Sequence, residues 1–397
     1  MDLDLPVEYE DFRAVVRDFA ETRIGPIAEE IDREHRFPYE IVEEMAALGL
    51  MGIPFPEEIG GAGGDTLLYA IAVEELTRID ASVGVTVAAH TSLGAMPIYL
   101  FGTDAQKAEW LPELVSGQRL AAFGLTEPEA GSNPLEGTCT YRREGDKIIM
   151  NGVKYLISNG SVADAVIVFA FPEGATGADR RMSAIIVDTA GDTFEKEQLH
   201  SKPGMYTSDT AMFQMNDHPV DGRNMLGKEG EGFRIAMHTL VSGRLSVAAG
   251  CLGTIEDLLD ECVRYCKERH QHGKEIGKHQ LVQDHLARIE IMRATSDAVI
   301  ERAAIAKQVS DENPGNKELL GKADYLVAQA KYWASNAAWE AADRAVQIFG
   351  GRGWSELYRP FRHLQDVRVC RIYEGTDEVM KLKFGSALLG KDFEAFK

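Results

Sequence analysis

The chain has 397 residues, of which 45% are hydrophobic and 26% are charged. This length exceeds one ordinary hydrophobic core, so it predicts two or three packed regions. The 42 basic and 63 acidic residues give a net charge of −21, which argues against a nucleic-acid partner because no basic stripe offsets the surplus.

Three regions follow one another along the chain. Residues 1–120 are predicted to be helical, because apolar residues recur at helical spacing. Residues 121–230 contain short β-rich runs separated by turn signals, which indicates a compact β domain. From residue 231 to 397 long helical patterns return, including an alanine-rich helix over 323–345. The predicted class is therefore α+β, in the order helical, β, helical.

Targeting and metal signals are weak in this sequence. The stretch Met1–Pro6 is acidic, unlike a signal peptide, and no apolar run is expected to reach transmembrane length, so we expect a cytoplasmic protein with no membrane partner. Five cysteines without paired CxxC spacing indicate reduced thiols. The histidines between residues 270 and 285 match no zinc pattern, so no metal is expected.

Two motifs mark the β region. Leu125–Asn133 combines proline, two hydroxyl residues and glycine, which suits a polar ligand but also an ordinary loop. Leu156–Gly160 is a strand that ends in an Asn-Gly turn, a common arrangement.

Three further motifs lie in the second helical region. Arg269–Gln280 has two glycines and several cations, so it predicts either an anion-binding loop or a solvated basic loop. Gln347–Gly353 closes a helix instead of opening one, which is unlike a dinucleotide-binding Rossmann turn and could be a helix cap. Glu374 stands between an aromatic residue and a glycine, where a carboxylate can become a usable base or remain a surface glutamate.

In this order and spacing, the five motifs resemble the signature set of the acyl-CoA dehydrogenase family over essentially the whole chain. The resemblance implies an N-terminal helical domain (1–120), a middle β-barrel or sandwich domain (121–230) and a C-terminal four-helix bundle (231–397). It also implies a homotetramer, arranged as a dimer of dimers.

The resemblance further implies an FAD cofactor that lies across a subunit boundary. Residues implied at the flavin end are Leu125, Thr126, Gly131, Ser132, Leu156 and Ser158, with Thr376 and Glu378 near the cofactor. Residues implied at the pyrophosphate and adenosine end, from a neighbouring subunit, are Arg269, His272, His279, Gln280, Gln347, Gly350 and Gly351.

By the same resemblance, Glu374 is the catalytic base that removes the α-proton of an acyl-CoA thioester, while the β-hydrogen leaves as hydride to flavin N5. The Glu374 N–H and a ribityl hydroxyl would polarise the thioester carbonyl, and electron-transfer flavoprotein would accept the electrons. Some relatives carry the base immediately before the residue equivalent to Arg244; Gly243 stands there and cannot serve. Substrate contacts are expected from Ser132, Ala89, Arg244, Tyr373 and Gly375, and the acyl pocket from residues 89–93, Met96 and Pro97.

Three positions depart from the family pattern, and several questions stay open. Leu156 replaces a tryptophan, His272 replaces an aromatic residue and Asn133 replaces an aspartate. The acyl group could be short, branched, cyclic or dicarboxylyl. Alternatives are the enoyl-CoA reductase direction, an oxidase, a redox-silent desulfinase-like relative, a non-catalytic FAD scaffold, and a helical scaffold without cofactor.

Overall fold

The computed structural model describes residues 5–393, so most of the acidic start Met1–Pro6 lies outside the described residues. Its first part is helical, as predicted. Two π-helical segments, Ala20–Ile24 and Ala89–Ala95, continue the helices before them. The helices are α1 (Val7–Phe19), α2 (Ala28–Glu34), α3 (Tyr39–Ala47), α4 (Thr66–Ile79), α5 (Ala81–Ala88), α6 (Met96–Phe101) and α7 (Asp104–Val115).

Side-chain caps begin several of these helices. Asp65 accepts a hydrogen bond from the Leu68 N–H at the start of α4, and Asp80 accepts from the Ser82 and Val83 N–H groups at the start of α5. Such caps satisfy backbone donors that have no partner inside the helix. They fix where α4 and α5 begin.

The middle part is built from eight strands. They are β1 (Ala121–Gly124), β2 (Thr140–Glu144), β3 (Lys147–Ser158), β4 (Ala165–Pro172), β5 (Ser183–Asp188), β6 (Phe194–Gln198), β7 (Thr210–Asp221) and β8 (Met225–Leu226).

The strands are ordered β6-β7-β3-β2-β4-β5-β8, and β1 pairs in parallel with β4. Only Thr140 and Tyr141 join β2 to β4. One hydrophobic cluster takes side chains from both sides of this join, including Val166 and Val168 of β4 and Phe213 and Met215 of β7. The two halves of the sheet therefore share a core, as in the predicted β domain.

The last part returns to helices. They are α8 (Gly232–Glu268), α9 (Gln280–Asp311), α10 (Lys317–Phe349), α11 (Arg359–Val367) and α12 (Asp377–Leu389), with a small hairpin of β9 (His270–Gln271) and β10 (Lys274–Glu275) between α8 and α9. Alanines at 330, 334, 338 and 341 are fully buried, so α10 packs closely on its neighbours. The changes from helix to strand and back follow α7 and β8; the domain limits at 120 and 230 stay predictions.

Helices α4 and α8 join the two helical parts directly. A Cβ added to Gly253 of α8 would lie 2.0 Å from the Glu74 carbonyl oxygen of α4, so glycine permits this close crossing. Thr77 of α4 likewise lies against Gly250 of α8. The crossing brings the face of α8 that carries Gly243 next to the N-terminal helices.

The expectation that no apolar run reaches transmembrane length is wrong. Two helical stretches, Ala81–Phe101 and Gly232–Glu268, are long and apolar enough by length and composition. The sequence did not predict the first stretch as one helix, because the π-helical segment Ala89–Ala95 joins α5 and α6 into a continuous run. However, 72% and 78% of their most apolar windows are buried inside the protein, as in core helices.

His90 ties the helical part to the β part. Its ring is fully buried, with Nε2 2.9 Å from the Leu114 carbonyl oxygen and Nδ1 accepting from the Ala121 N–H at 3.0 Å. This pattern requires the neutral tautomer with the proton on Nε2. Burial accordingly lowers the pKa of His90 to about 4.

We expect His90 to make the folded state less stable as the pH falls from about 6.5 to 4. In this range the histidine of the unfolded chain binds a proton, whereas the buried histidine of the folded chain stays neutral. Its share of the loss between pH 7.5 and pH 5 is about 2 kcal/mol. Urea unfolding of wild type and His90→Gln at both pH values tests this. The variant should lose less stability on acidification, and equal losses in the two proteins would contradict the assignment.

Candidate active site

Glu374 lies in a tight turn between the 3₁₀ segment Arg368–Arg371 and α12. Its φ is +57° and that of Gly375 is +100°, so two successive residues have left-handed backbone. A non-glycine residue in this region is uncommon and often marks a functional site. Glycine suits position 375 because a φ of +100° is a backbone conformation that residues with a side chain rarely adopt.

Two cations from different helices hold the carbonyl oxygens of this turn. Arg244 Nε of α8 donates to the Glu374 carbonyl at 2.8 Å, and Lys331 Nζ of α10 donates to the Gly375 carbonyl at 2.7 Å. Arg244 also reaches Asp324 at 3.3 Å, and Asp324 in turn pairs with Lys383 of α12. The turn is thus attached to three helices at once.

The Glu374 carboxylate points at Gly243. A Cβ added to Gly243 would lie 2.4 Å from Oε1 and 2.5 Å from Oε2, so the carboxylate occupies the space that a side chain on α8 would need. Its Oε2 is buried, and no donor among residues 5–393 bonds to it. Burial raises the pKa of Glu374 to about 7, against the opposing effect of the Arg244 and Lys331 charges. Such a group can accept a proton near neutral pH.

The backbone around Glu374 offers a donor as well. Among residues 5–393, no acceptor pairs with the Glu374 N–H. Next in the chain, the Thr376 hydroxyl accepts from the Val379 N–H and caps α12, while Glu378 is exposed. A free N–H beside a free carboxylate oxygen can bind an oxygen atom of a ligand while the carboxylate takes its proton.

Two cavities lie along the α5–α6 helical run. The larger has a volume of about 200 Å³ and includes Tyr69, Thr91, Ser92, Met96 and Leu245 in its wall. The smaller has a volume of about 30 Å³, and its lining includes Val85, Ala88, Val247, Cys251, Cys370 and Tyr373.

The walls of the two cavities are in contact through Tyr69 and Ser246, and Glu374 is in neither lining. Tyr69 lines the larger cavity, and its hydroxyl is 2.9 Å from that of Ser246, which lines the smaller one. Ser246 is one helical turn from Gly243. Of the residues expected around the acyl group, Thr91, Ser92 and Met96 line the larger cavity, whereas Ala89, His90, Leu93 and Pro97 lie outside both linings. Tyr373 lines the smaller cavity and places its hydroxyl 3.3 Å from Cys370 Sγ.

The residues expected at the flavin end meet at a bulge in β3. The pairing of β3 with β7 shifts register between Lys154 and Ile157, and Leu156 there has a φ of +58° and is 54% exposed. The Tyr155 N–H donates to the Thr126 carbonyl at 3.0 Å. This contact places Leu125 and Thr126 next to the bulge that carries Leu156, with Ser158 at the end of β3, while Gly131 and Ser132 lie on the exposed loop beyond.

A buried ion pair supports this loop. Lys154 Nζ lies 2.7 Å from Glu127 Oε1 and 3.2 Å from the Leu125 carbonyl, and both side chains are almost fully buried. Glu127 also accepts from the Thr138 and Cys139 N–H groups. These contacts fix the backbone that carries Leu125 and Thr126.

A third group lies at the far end of the helical bundle. The rings of Tyr265 and Phe349 stack with centroids 4.0 Å apart, which brings the end of α8 next to the end of α10. The group comprises Arg269, His272, His279, Gln280, Gln347, Gly350 and Gly351. Along α10, Gln347 is about 24 Å from Lys331 at a helical rise of about 1.5 Å per residue. These residues are therefore far from the Glu374 turn of their own chain.

Sequence inspection missed several residues of the site. Lys331 was hidden in the alanine-rich helix, and Lys154 in an apolar strand; both are fully buried lysines. Tyr69 and Asp324 belong to none of the five motifs. The one available signal was a single lysine on an otherwise apolar stripe, because a lysine is almost never fully buried unless it has a partner.

Comparison with known proteins gives a consistent result. Models of the acyl-CoA dehydrogenase N-terminal, middle and C-terminal domains match residues 6–118, 122–218 and 230–389. The short-chain specific acyl-CoA dehydrogenase of Clostridium acetobutylicum is 40% identical over 384 residues, covering 96% of this chain and 98% of its own.

Two solved structures are similar to this chain over almost its whole length. Butyryl-CoA dehydrogenase from Megasphaera elsdenii has a TM-score of 0.92 at 38% identity, covering 98% of this chain and all of that one. A structure described as electron transferring flavoprotein of Acidaminococcus fermentans, concerning flavin-based electron bifurcation, has a TM-score of 0.92 at 39% identity, with the same coverage.

The fold and the matches define an FAD-dependent oxidoreductase that acts on acyl-CoA thioesters. The chain belongs to the acyl-CoA dehydrogenase family.

The residues present fit FAD. Gly350 and Gly351 are exposed, with no atom within 4 Å of an added Cβ, so their backbone is accessible to a pyrophosphate. Arg269, which follows α8, would supply a cation. At the other end, the bulge of β3 presents an exposed apolar side chain between two hydroxyl residues, which suits the face and the polar edge of a flavin ring.

The buried Lys154–Glu127 pair yields a stability prediction. Lys154→Met should cost about 3–5 kcal/mol, because Glu127 would remain as an uncompensated buried charge. Chemical denaturation measures this cost, and absorbance of the purified protein should show reduced FAD content. Lys147→Met, on the exposed start of the same strand, is the matched control. Equal stability of the two variants would contradict the role of the pair.

Proposed function

We propose that the protein is a short-chain acyl-CoA dehydrogenase, with Glu374 as its catalytic base and electron-transfer flavoprotein as its electron acceptor. The observation that carries the proposal is the Glu374 carboxylate. It is held against Gly243 on a left-handed turn, one of its oxygens has no donor among the described residues, and its pKa is about 7. The carboxylate is therefore held in place and able to accept a proton near neutral pH.

The protein's own groups account for one half of the reaction. Glu374 takes the proton from the carbon next to the thioester carbonyl, and its free N–H donates a hydrogen bond to the carbonyl oxygen, where negative charge develops. Removing such a weakly acidic proton requires both effects together. Bound FAD supplies the two-electron acceptor for the β-hydrogen.

The FAD contacts are proposed in two sets. Leu125, Thr126, Gly131, Ser132, Leu156 and Ser158 hold the flavin end, with Thr376 and Glu378 nearby. Arg269, His272, His279, Gln280, Gln347, Gly350 and Gly351 hold the other end in a second copy of the chain. Their distance from Glu374 along α10 supports this division, because one chain cannot bring them to its own turn.

A second copy would also cover apolar side chains near the far end of the bundle. Leu281, Trp354 and Leu357 are 81%, 73% and 74% exposed, in or near the proposed FAD segments. Exposed apolar residues clustered in this way mark interaction surfaces. They support a homo-oligomer, for which we propose a homotetramer, a dimer of dimers, located in the cytoplasm.

The substrate is proposed to be a short acyl-CoA. The smaller cavity, whose lining includes Tyr373, is mostly apolar, with Thr77 of α4 and Gly250 of α8 in its wall. Such a cavity suits a chain of a few carbons. The Clostridium relative is named as short-chain specific, and the Megasphaera relative as a butyryl-CoA dehydrogenase. The Acidaminococcus structure supports electron-transfer flavoprotein as the partner.

The proposal predicts that butyryl-CoA added without oxygen bleaches the flavin of the wild-type protein. Glu374→Gln should slow this bleaching at least about 1,000-fold, because the amide cannot take a proton. The rate should rise with pH to a plateau above about pH 7, since Glu374 acts only when ionised. Stopped-flow absorbance over pH 5.5–9 measures both effects.

A panel of longer, branched and dicarboxylyl acyl-CoAs serves as the comparison in the same assay. Full bleaching by Glu374→Gln would refute the proposed base. Rapid oxygen consumption without an acceptor would instead indicate an oxidase. Bleaching only with the longer thioesters would overturn the proposed substrate class.

Gly243 gives an independent test of the geometry. Gly243→Ala places a methyl group 2.4 Å from Glu374 Oε1, so the carboxylate must move. We expect kcat to fall about 100-fold while FAD content and folding persist, because a displacement of about 1 Å misaligns the base. Gly321→Ala, on α10 with open space around it, is the control and should keep full activity. A fully active Gly243→Ala would contradict the placement of the carboxylate.

A further inference from the structure

We propose that Lys331 is a positioning residue, which fixes the Glu374–Gly375 turn through its buried ammonium group and places a positive charge beside the turn that carries the base. The inference rests on the proposed role of Glu374. It concerns a residue that has no part in the five sequence motifs.

The geometry around Lys331 is unusual for a lysine. The side chain projects from the middle of α10 and is fully buried, and its Nζ donates to the Gly375 carbonyl at 2.7 Å. In the part of the chain that the structure describes, no carboxylate lies within ion-pair distance of Lys331. Desolvating an ammonium without an ion-pair partner costs several kcal/mol, so packing alone does not explain a lysine at this position.

The contact acts on the part of the turn that is least stable by itself. Gly375 has a φ of +100° and follows Glu374 at +57°. Lys331 holds the carbonyl of the second residue, and Arg244 holds the carbonyl of the first. With both carbonyls attached to long helices, the carboxylate direction toward Gly243 is set before any ligand binds.

The charge of Lys331 matters as well as its hydrogen bond. Burial raises the pKa of Glu374, and the charges of Arg244 and Lys331 oppose this rise. Arg244 is already paired with Asp324, whereas Lys331 has no such carboxylate partner. Burial lowers the pKa of Lys331, whereas the nearby Cys370, Asp377, Cys251 and Glu374 raise it and so favour the ammonium form that supplies positive charge to the turn. The other titratable or charged groups around the turn are Tyr69, Cys251, Asp324, Cys370, Arg371, Tyr373, Asp377, Glu378 and Lys383.

The test compares Lys331→Met with Lys196→Met. Lys196 on β6 also donates to a backbone carbonyl at 2.7 Å, that of Ala163, but lies in the β domain. For Lys331→Met we expect the acidic limb of the pH–kcat profile to move up by about one pH unit, because an opposite charge near the base is lost. At the alkaline plateau kcat should fall about 10-fold, with KM for butyryl-CoA little changed. Lys196→Met should show neither effect.

A second readout does not depend on turnover. Infrared difference spectra against pH show the protonated carboxyl band of Glu374, which is assigned by its absence in Glu374→Gln. This band should persist to a pH about one unit higher in Lys331→Met than in wild type. If Lys331→Met does not fold, Lys331→Gln is used. It keeps an N–H donor and removes the charge, so the same upward shift is expected.

The outcomes separate the two proposals. If Glu374→Gln is inactive and a folded Lys331 variant keeps the wild-type pH limb and infrared band, the positioning role is refuted while the proposed function stands. If Glu374→Gln remains active, the proposed function itself fails. A loss of kcat in Lys331→Met without any pH shift refutes the electrostatic half of the inference.

Discussion

The carboxylate of Glu374 must remain reactive in surroundings that disfavour its charge, and much of the nearby structure follows from this constraint. Burial raises its pKa to about 7, while Arg244 and Lys331 limit the rise. Neither cation bonds to the carboxylate itself; each is bonded to a backbone carbonyl of the turn. Positive charge therefore acts on the base from a distance and does not block its oxygens.

The same constraint explains the residues on the neighbouring helices. Gly243 is a glycine because the carboxylate fills the place of its side chain, and Gly375 has a φ of +100° that residues with a side chain rarely adopt. The close crossing of α4 and α8 at Gly253 then brings Tyr69 and Ser246 alongside. The cavities lined by Tyr69 and Ser246 are thus formed by the packing of helices that are distant in sequence.

In the β domain, the loop that carries Leu125 and Thr126 is held in a similar way. A buried Lys154–Glu127 pair holds the backbone around Leu125 and Thr126, and the bulge in β3 turns Leu156 outward. A leucine there presents a smaller apolar surface than the tryptophan that is common in the family. Both ends of the site therefore use a buried lysine to fix backbone carbonyls, at Leu125 in one case and at Gly375 in the other.

The sequence alone determined the order of helical and β regions, the family and Glu374 as the candidate base, because these depend on local periodicity and on motifs whose spacing is written in the chain. It could not reveal Lys331, Lys154 or Tyr69, since a lysine or tyrosine acquires its role only from the partner that folding brings to it. Nor could it show that Gln347 lies far from Glu374, which depends on the length of α10. Only the tertiary structure decided these points. Burial, distances and the position of the Glu374 carboxylate in the place of a Gly243 side chain arise only when α8, α10 and the turn pack together.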